Sequence, residues 1–109
     1  MWGVCLESNI CNGNLFQRII EYDINTDIQK ANILQPIKDI SIPINKIKPI
    51  ENPPNFIYGD IVSPINHLDV VGEIETIIWH FKNNDFNFYI SIDGKMKSKR
   101  YYANDLIKR

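Results

Sequence analysis

The chain repeats itself, and that constrains its fold more than any single motif. Trp2-Gly3 opens the first half as Tyr58-Gly59 opens the second, and Gly13-Asn14-Leu15-Phe16-Gln17-Arg18-Ile19-Ile20 parallels Gly72-Glu73-Ile74-Glu75-Thr76-Ile77-Ile78. Asn25-Thr26-Asp27 stands where Asn83-Asn84-Asp85 stands, and Ile44-Asn45-Lys46-Ile47-Lys48 matches Ala103-Asn104-Asp105-Leu106-Ile107. The spacing is roughly 58 residues throughout, as one duplicated supersecondary unit would produce. With 109 residues in total, each copy is too small for more than a minimal core. The copies part near Glu51-Asn52-Pro53-Pro54-Asn55, where two adjacent prolines enforce an extended linker. This reading predicts a first unit over residues 1–52 and a second over 53–109.

Each copy reads as strands. Alanine is scarce, isoleucine is abundant, and Pro36, Pro43, Pro49, Pro53, Pro54 and Pro64 interrupt most windows long enough for a helix. Residues 15–22 and 40–45 alternate apolar and polar side chains with a partial period of two, as half-buried strands do. Residues 73–81 form a longer strand, and Phe86, Phe88, Ile90 and Ile92 alternate strictly and so share one face of another. Asn83-Asn84-Asp85 supplies a turn between them. Asp93-Gly94 then predicts a two-residue hairpin, because a type I′ turn needs positive φ at both positions. Residues 95–102 must return antiparallel.

The resulting order is that of a small barrel: an aromatic-Gly first strand, a loop, a long strand, a turn, a hairpin, and a closing turn ending in an Asn-x-Leu/Ile step. The second unit resembles the SH3-like barrels of the Tudor and KOW type, through Tyr58-Gly59-Asp60-Ile61-Val62, Gly72-Glu73-Ile74 and Ala103-Asn104-Asp105-Leu106-Ile107. The resemblance implies an all-β fold of two tandem SH3-like small barrels or half-barrels from an internal duplication. The first unit fits less closely: it lacks the Asp-Gly hairpin, and Pro36 and Pro43 imply short or edge strands. The alternative is a single barrel from about residue 56 onward with an N-terminal β extension packed on it.

Signatures of catalysis are missing. His67 lies in a loop, with Asp69 nearby as its only prospective partner and no second His or Cys at ligand spacing. His80 lies on a strand, where a hydrogen-bonded, partly buried histidine is the expectation and a polar contact at a binding face the alternative. Glu73 and Glu75 share a strand face but read as solvated charge. No glycine-rich phosphate loop and no nucleophile elbow occurs. Two cysteines, Cys5 and Cys11, are too few for a disulfide framework or a four-ligand zinc site. Both are expected to stay reduced in a cytoplasmic protein. The expectation is a non-enzyme without cofactor or metal. The opening residues carry no basic, apolar leader pattern, and no window approaches the ~20 apolar residues of a membrane span, so no membrane role is expected. The abundance of Ile, Asn and Lys fits an AT-rich bacterial genome and carries no mechanistic weight.

Two candidate binding surfaces remain. Residues 95–102 read Lys-Met-Lys-Ser-Lys-Arg-Tyr-Tyr. On a strand, Lys95, Lys97, Lys99 and Tyr101 would share one face, with Arg100 among those on the other. Such a stripe either tracks a phosphate backbone while rings stack on bases or simply protects a sheet edge from aggregation. Asp85, Asp93 and Asp105 are close enough in sequence to neutralise it. The second surface is aromatic, drawing on Tyr58, Trp79, Phe81, Tyr89, Tyr101 and Tyr102. The SH3-like resemblance implies a shallow groove for a peptide or a methylated cation there, against the plainer role of filling the core. A net charge of -1 offers no global attraction for nucleic acid. The expected function is therefore a non-catalytic protein-binding module whose partner is another protein. The alternative is RNA or DNA bound through Lys95, Lys97, Lys99 and Arg100 with a neighbouring tyrosine. Unpaired strand edges make a homodimer a further expectation.

Overall fold

In the computed structural model, which describes residues 1–6 and 15–109, every named strand belongs to one of two five-stranded antiparallel sheets. Cys11 and the Gly13-Asn14 step of the repeat lie outside the described residues. The chain divides between Pro53 and Pro54.

The first unit comprises β1 (Trp2–Cys5), β2 (Ile19–Asn25), β3 (Lys30–Gln35), β4 (Ile40–Pro43), a 3₁₀ turn (Ile44–Lys46) and β5 (Ile47–Ile50). Their order across the sheet is β4-β3-β2-β1-β5. Ala31 and Ile33 of β3 point inward at period two and join Cys5, Leu15, Ile20, Tyr22, Ile42 and Ile47 in the core. Each fully buried aliphatic side chain contributes roughly 1.5–3 kcal/mol against its exposed state. Gly3 is required by close approach: a Cβ there would lie 2.6 Å from Ile47 Cγ2 and 2.9 Å from the Lys48 carbonyl oxygen. Both edge strands carry a proline, Pro43 and Pro49, which has no N–H to offer another strand.

The second unit comprises β6 (Ile61–Pro64), β7 (Gly72–His80), β8 (Asp85–Ile92), β9 (Lys95–Met96), a 3₁₀ turn (Ala103–Asp105) and β10 (Leu106–Lys108), ordered β10-β6-β7-β8-β9. Both units thus run fifth, first, second, third, fourth across their sheets. The repeat of sequence is a repeat of topology. The match is closest where Ile44–Lys46 and Ala103–Asp105 both form the 3₁₀ turn, followed by buried Ile47 and buried Leu106. The second core is aromatic. Phe56 meets Phe88 edge-on at 5.2 Å, Trp79 meets Phe86 edge-on at 5.2 Å, and Phe86 and Phe88 stand 6.3 Å apart. Edge-to-face contacts suit the ring quadrupole and add to the apolar burial.

Four expectations are corrected. Residues 15–18 are not strand: Gln17 has φ +63° and the Arg18 N–H bonds the Leu15 carbonyl, so β2 begins at Ile19. The strand expected over 40–45 ends at Pro43, because the chain turns into Ile44–Lys46. Trp2-Gly3 and Tyr58-Gly59 are not equivalent. Gly3 lies within β1, whereas Gly59 has φ +92° in a turn closed by the Asp60 carboxylate, which accepts the Ile57 N–H at 3.0 Å. The true counterpart of β1 is β6. Finally, residues 95–102 do not form one strand: β9 has two residues only.

Candidate binding surface

The Asp93-Gly94 hairpin forms as its sequence dictates. Asp93 has φ +53° and Gly94 φ +78°, and Ile92 pairs with Lys95 across them. The Lys97 N–H still bonds the Ile90 carbonyl at 2.9 Å, but the next pair on β8, Phe88, exchanges both backbone bonds with Tyr101 at 2.8 and 2.9 Å. Two residues on β8 are therefore spanned by four on the return. The surplus of two residues bulges out of the ladder, and residues 97–100 are all exposed. Alternating faces are lost; Lys95, Lys97, Lys99 and Arg100 all stand in solvent instead of dividing between two sides.

The neighbouring acids expected to neutralise these cations form no ion pair with them. None of the four cations forms an ion pair with a described residue; the one between described side chains joins Lys108 to Asp60 at 3.6 Å. Asp85 accepts its neighbour Phe86 N–H at 2.7 Å, and Asp105 accepts the Tyr102 N–H at 2.9 Å. Lys99 alone is positioned, its ammonium 5.1 Å from the centroid of the Tyr101 ring.

The two units show where this feature comes from. Gln29 and Asn84 are the positive-φ residues ending the β2–β3 and β7–β8 turns. From Gln29 to the 3₁₀ turn at Ile44 is 15 residues, and from Asn84 to Ala103 it is 19. The extra four residues of the second unit lie in the hairpin that carries the cations.

Beside the bulge is a cleft of about 350 Å³. Lys99 and Tyr101 form one wall, Asn104 and Asp105 of the 3₁₀ turn another, and Asn66 and His67 of the β6–β7 loop the third. The loop is held in place from several sides. The Ile65 N–H bonds the Asp105 carbonyl at 3.0 Å, the His67 N–H bonds that of Pro64 at 3.0 Å, and Arg109 Nη1 donates to the Leu68 carbonyl at 2.8 Å and to Ser63 Oγ at 3.1 Å.

The other expected site residues lie elsewhere. Trp79 packs against Phe86, and its Nε1 is buried with no partner among the described residues. His80 Nδ1 accepts the Asn83 N–H at 3.3 Å and so caps the β7–β8 turn. The half-buried Tyr58 donates its hydroxyl to the Ile77 carbonyl at 3.4 Å. Tyr101 is only 9% exposed, and Tyr102 is half-buried, its hydroxyl accepting from Asn83 Nδ2 at 3.2 Å. Asn66, His67, Asn104 and Asp105 enter the site unforeseen as a group. The β6–β10 pairing, Pro64 with Leu106, brings their two segments together, and pairing over that distance leaves no local mark in the sequence.

Among the described residues, no group of three or more His, Cys, Asp or Glu side chains could hold a metal ion, and no helix is long and apolar enough to cross a membrane. One family model matches residues 38–107. The chain belongs to the family of unknown function DUF6960. The DUF6960 match runs from just before β4 into β10 and so contains the hairpin, the cleft and the 3₁₀ turn in full. Neither the comparison with curated proteins nor that with solved structures returns a match.

Proposed function

We propose that this protein is a non-catalytic, cytoplasmic protein-binding module built of two SH3-like units, and that its partner docks on the cleft and basic hairpin of the second. The SH3-like reading is supported by the strand order, fifth-first-second-third-fourth, with a 3₁₀ turn between the fourth and fifth strands of both units. The observation that carries the binding reading is the bulge: four residues of the return span two of β8, and Lys95, Lys97, Lys99 and Arg100 stand exposed on that hairpin with no ion pair to a described residue. The adjoining cleft of about 350 Å³ is at the small end of ligand pockets, and Lys99, His67, Asn66, Asn104 and Asp105 bring polar groups to it.

The four cations also favour a second reading, RNA or DNA binding. Neutralising ~3 to 4 phosphates would give a log-log salt slope of about -2 to -3. Against it, Tyr101 is buried beneath Lys99 and offers little face for a base. A pull-down from lysate with and without nuclease separates the two, comparing wild type with a variant carrying Lys95, Lys97, Lys99 and Arg100 changed to Ser. A specific protein band that ignores nuclease and is lost in the variant is the expected result. A nuclease-sensitive pool lost in the variant would establish the nucleic-acid reading instead.

A further inference from the structure

We infer that the segment recognised by the second unit is a short acidic peptide, one carboxylate of which enters the cleft between Lys99 and His67. The inference rests on the module reading above and specifies its ligand. The hairpin complements an acidic segment in charge. Lys95, Lys97, Lys99 and Arg100 form a single-sign, exposed surface within six residues of chain, and no described acid pairs with any of them.

Lys99 is the one cation that belongs to both the bulge and the cleft, and the Tyr101 ring beneath it holds its ammonium at the cleft wall. A lysine so held has already surrendered part of the rotamer freedom that forming an ion pair removes. Asn66 and Asn104 add amide groups to the same cleft, each with donors suited to carboxylate oxygens. Asp105 also lines it, with one carboxylate oxygen committed to the Tyr102 N–H. Its negative charge makes Lys99 decisive for an anion entering there.

The charge balance of the second unit favours a peptide over a nucleic acid. The second unit carries seven Lys and Arg against seven Asp and Glu, so a long polyanion crossing its surface meets as many repulsive as attractive charges. A short acidic segment touches the hairpin alone. The ring nearest the cations is buried, which removes the stacking that sustains single-strand binding.

The test is fluorescence anisotropy on the full chain with three labelled probes: decaglutamate, decaglutamine and a ten-nucleotide oligouridine. Decaglutamate should bind saturably and decaglutamine at least about tenfold more weakly; Lys99→Glu should weaken decaglutamate by about tenfold and Lys95→Glu by only about threefold, as expected of a positioned contact against a peripheral one. Both lysines are exposed, and an unchanged circular dichroism spectrum verifies that each variant is folded. Equal affinity for decaglutamine, tighter binding of oligouridine than of decaglutamate, or equal losses in the two variants would each overturn the inference. If no probe binds while the pull-down still captures a specific protein, the acidic ligand falls and the module reading stands. Capture of no protein at all defeats the module reading itself.

Discussion

Replacing Gly3 by alanine should destabilise the first unit, although Gly→Ala in a strand ordinarily does the reverse. Where the backbone is compatible, the exchange stabilises by about 0.4–1 kcal/mol, because alanine has less freedom to lose on folding. Here a Cβ would stand 2.6 Å from Ile47 Cγ2, 2.9 Å from the Lys48 carbonyl oxygen and 3.0 Å from Tyr22 Cε1. Ile47 and Tyr22 are both buried in the same core, so neither side chain has open space to enter. The Lys48 carbonyl belongs to β5, which cannot retreat without loosening its pairing with β1 over four residue pairs. Overpacking of this kind costs typically 1–3 kcal/mol, and the backbone contact places Gly3→Ala toward the upper end, for a net loss of about 2 kcal/mol. The chain has two tryptophans, Trp2 in β1 and Trp79 in β7. In a Trp79→Phe background, Trp2 fluorescence therefore reports the first unit alone. With a urea m-value near 1 kcal/mol/M, as for small proteins, the midpoint should fall by about 2 M. A midpoint unchanged or raised would refute the argument that contact, and not chain entropy, governs this position.

Gly94 tests the opposite cause: nothing lies within 4 Å of its prospective Cβ, but φ is +78°, so Gly94→Ala should cost about 1–2 kcal/mol through backbone strain alone. Gly94→Asn should cost visibly less in the same urea titration, since asparagine tolerates the left-handed region. Phe88→Ala removes a fully buried ring in contact with Phe56 and Phe86 and should cost about 3–5 kcal/mol, read by Trp79 fluorescence. Burial pushes the Tyr22 hydroxyl above its ordinary value of 10.0. The unfolded chain then ionises first as pH rises, so this residue's share of stability is full below about pH 10 and is lost on going toward the higher folded value. Tyr22→Phe should accordingly lose less stability than wild type between about pH 9 and 11, measured as the urea midpoint at each pH.

Much of the architecture was legible locally. Proline spacing and period-two alternation specify strands, Asp93-Gly94 specifies its hairpin through positive φ, and the Ile44-Asn45-Lys46 and Ala103-Asn104-Asp105 steps mark the two closing turns. These are short-range properties, decided by a few residues and their own backbone preferences. The errors share a cause as well. Gln17 adopts a left-handed conformation that its residue type does not demand, and the chain's own hydrogen bonds around it delay the start of β2 to Ile19.

The candidate surface divides along the same line. Local sequence is enough to place a dense run of cations after the hairpin turn, to make the chain all-β, and to divide it into two similar units. The bulge at residues 97–100 depends on tertiary packing: pairing Phe88 with Tyr101 instead of Lys99 buries the tyrosine and leaves the lysine in water. Likewise, His67 and Asn66 reach Lys99 only because β6 pairs with β10, two segments some 40 residues apart whose register is set by burial of Val62 and Leu106 rather than by anything adjacent to them in the chain.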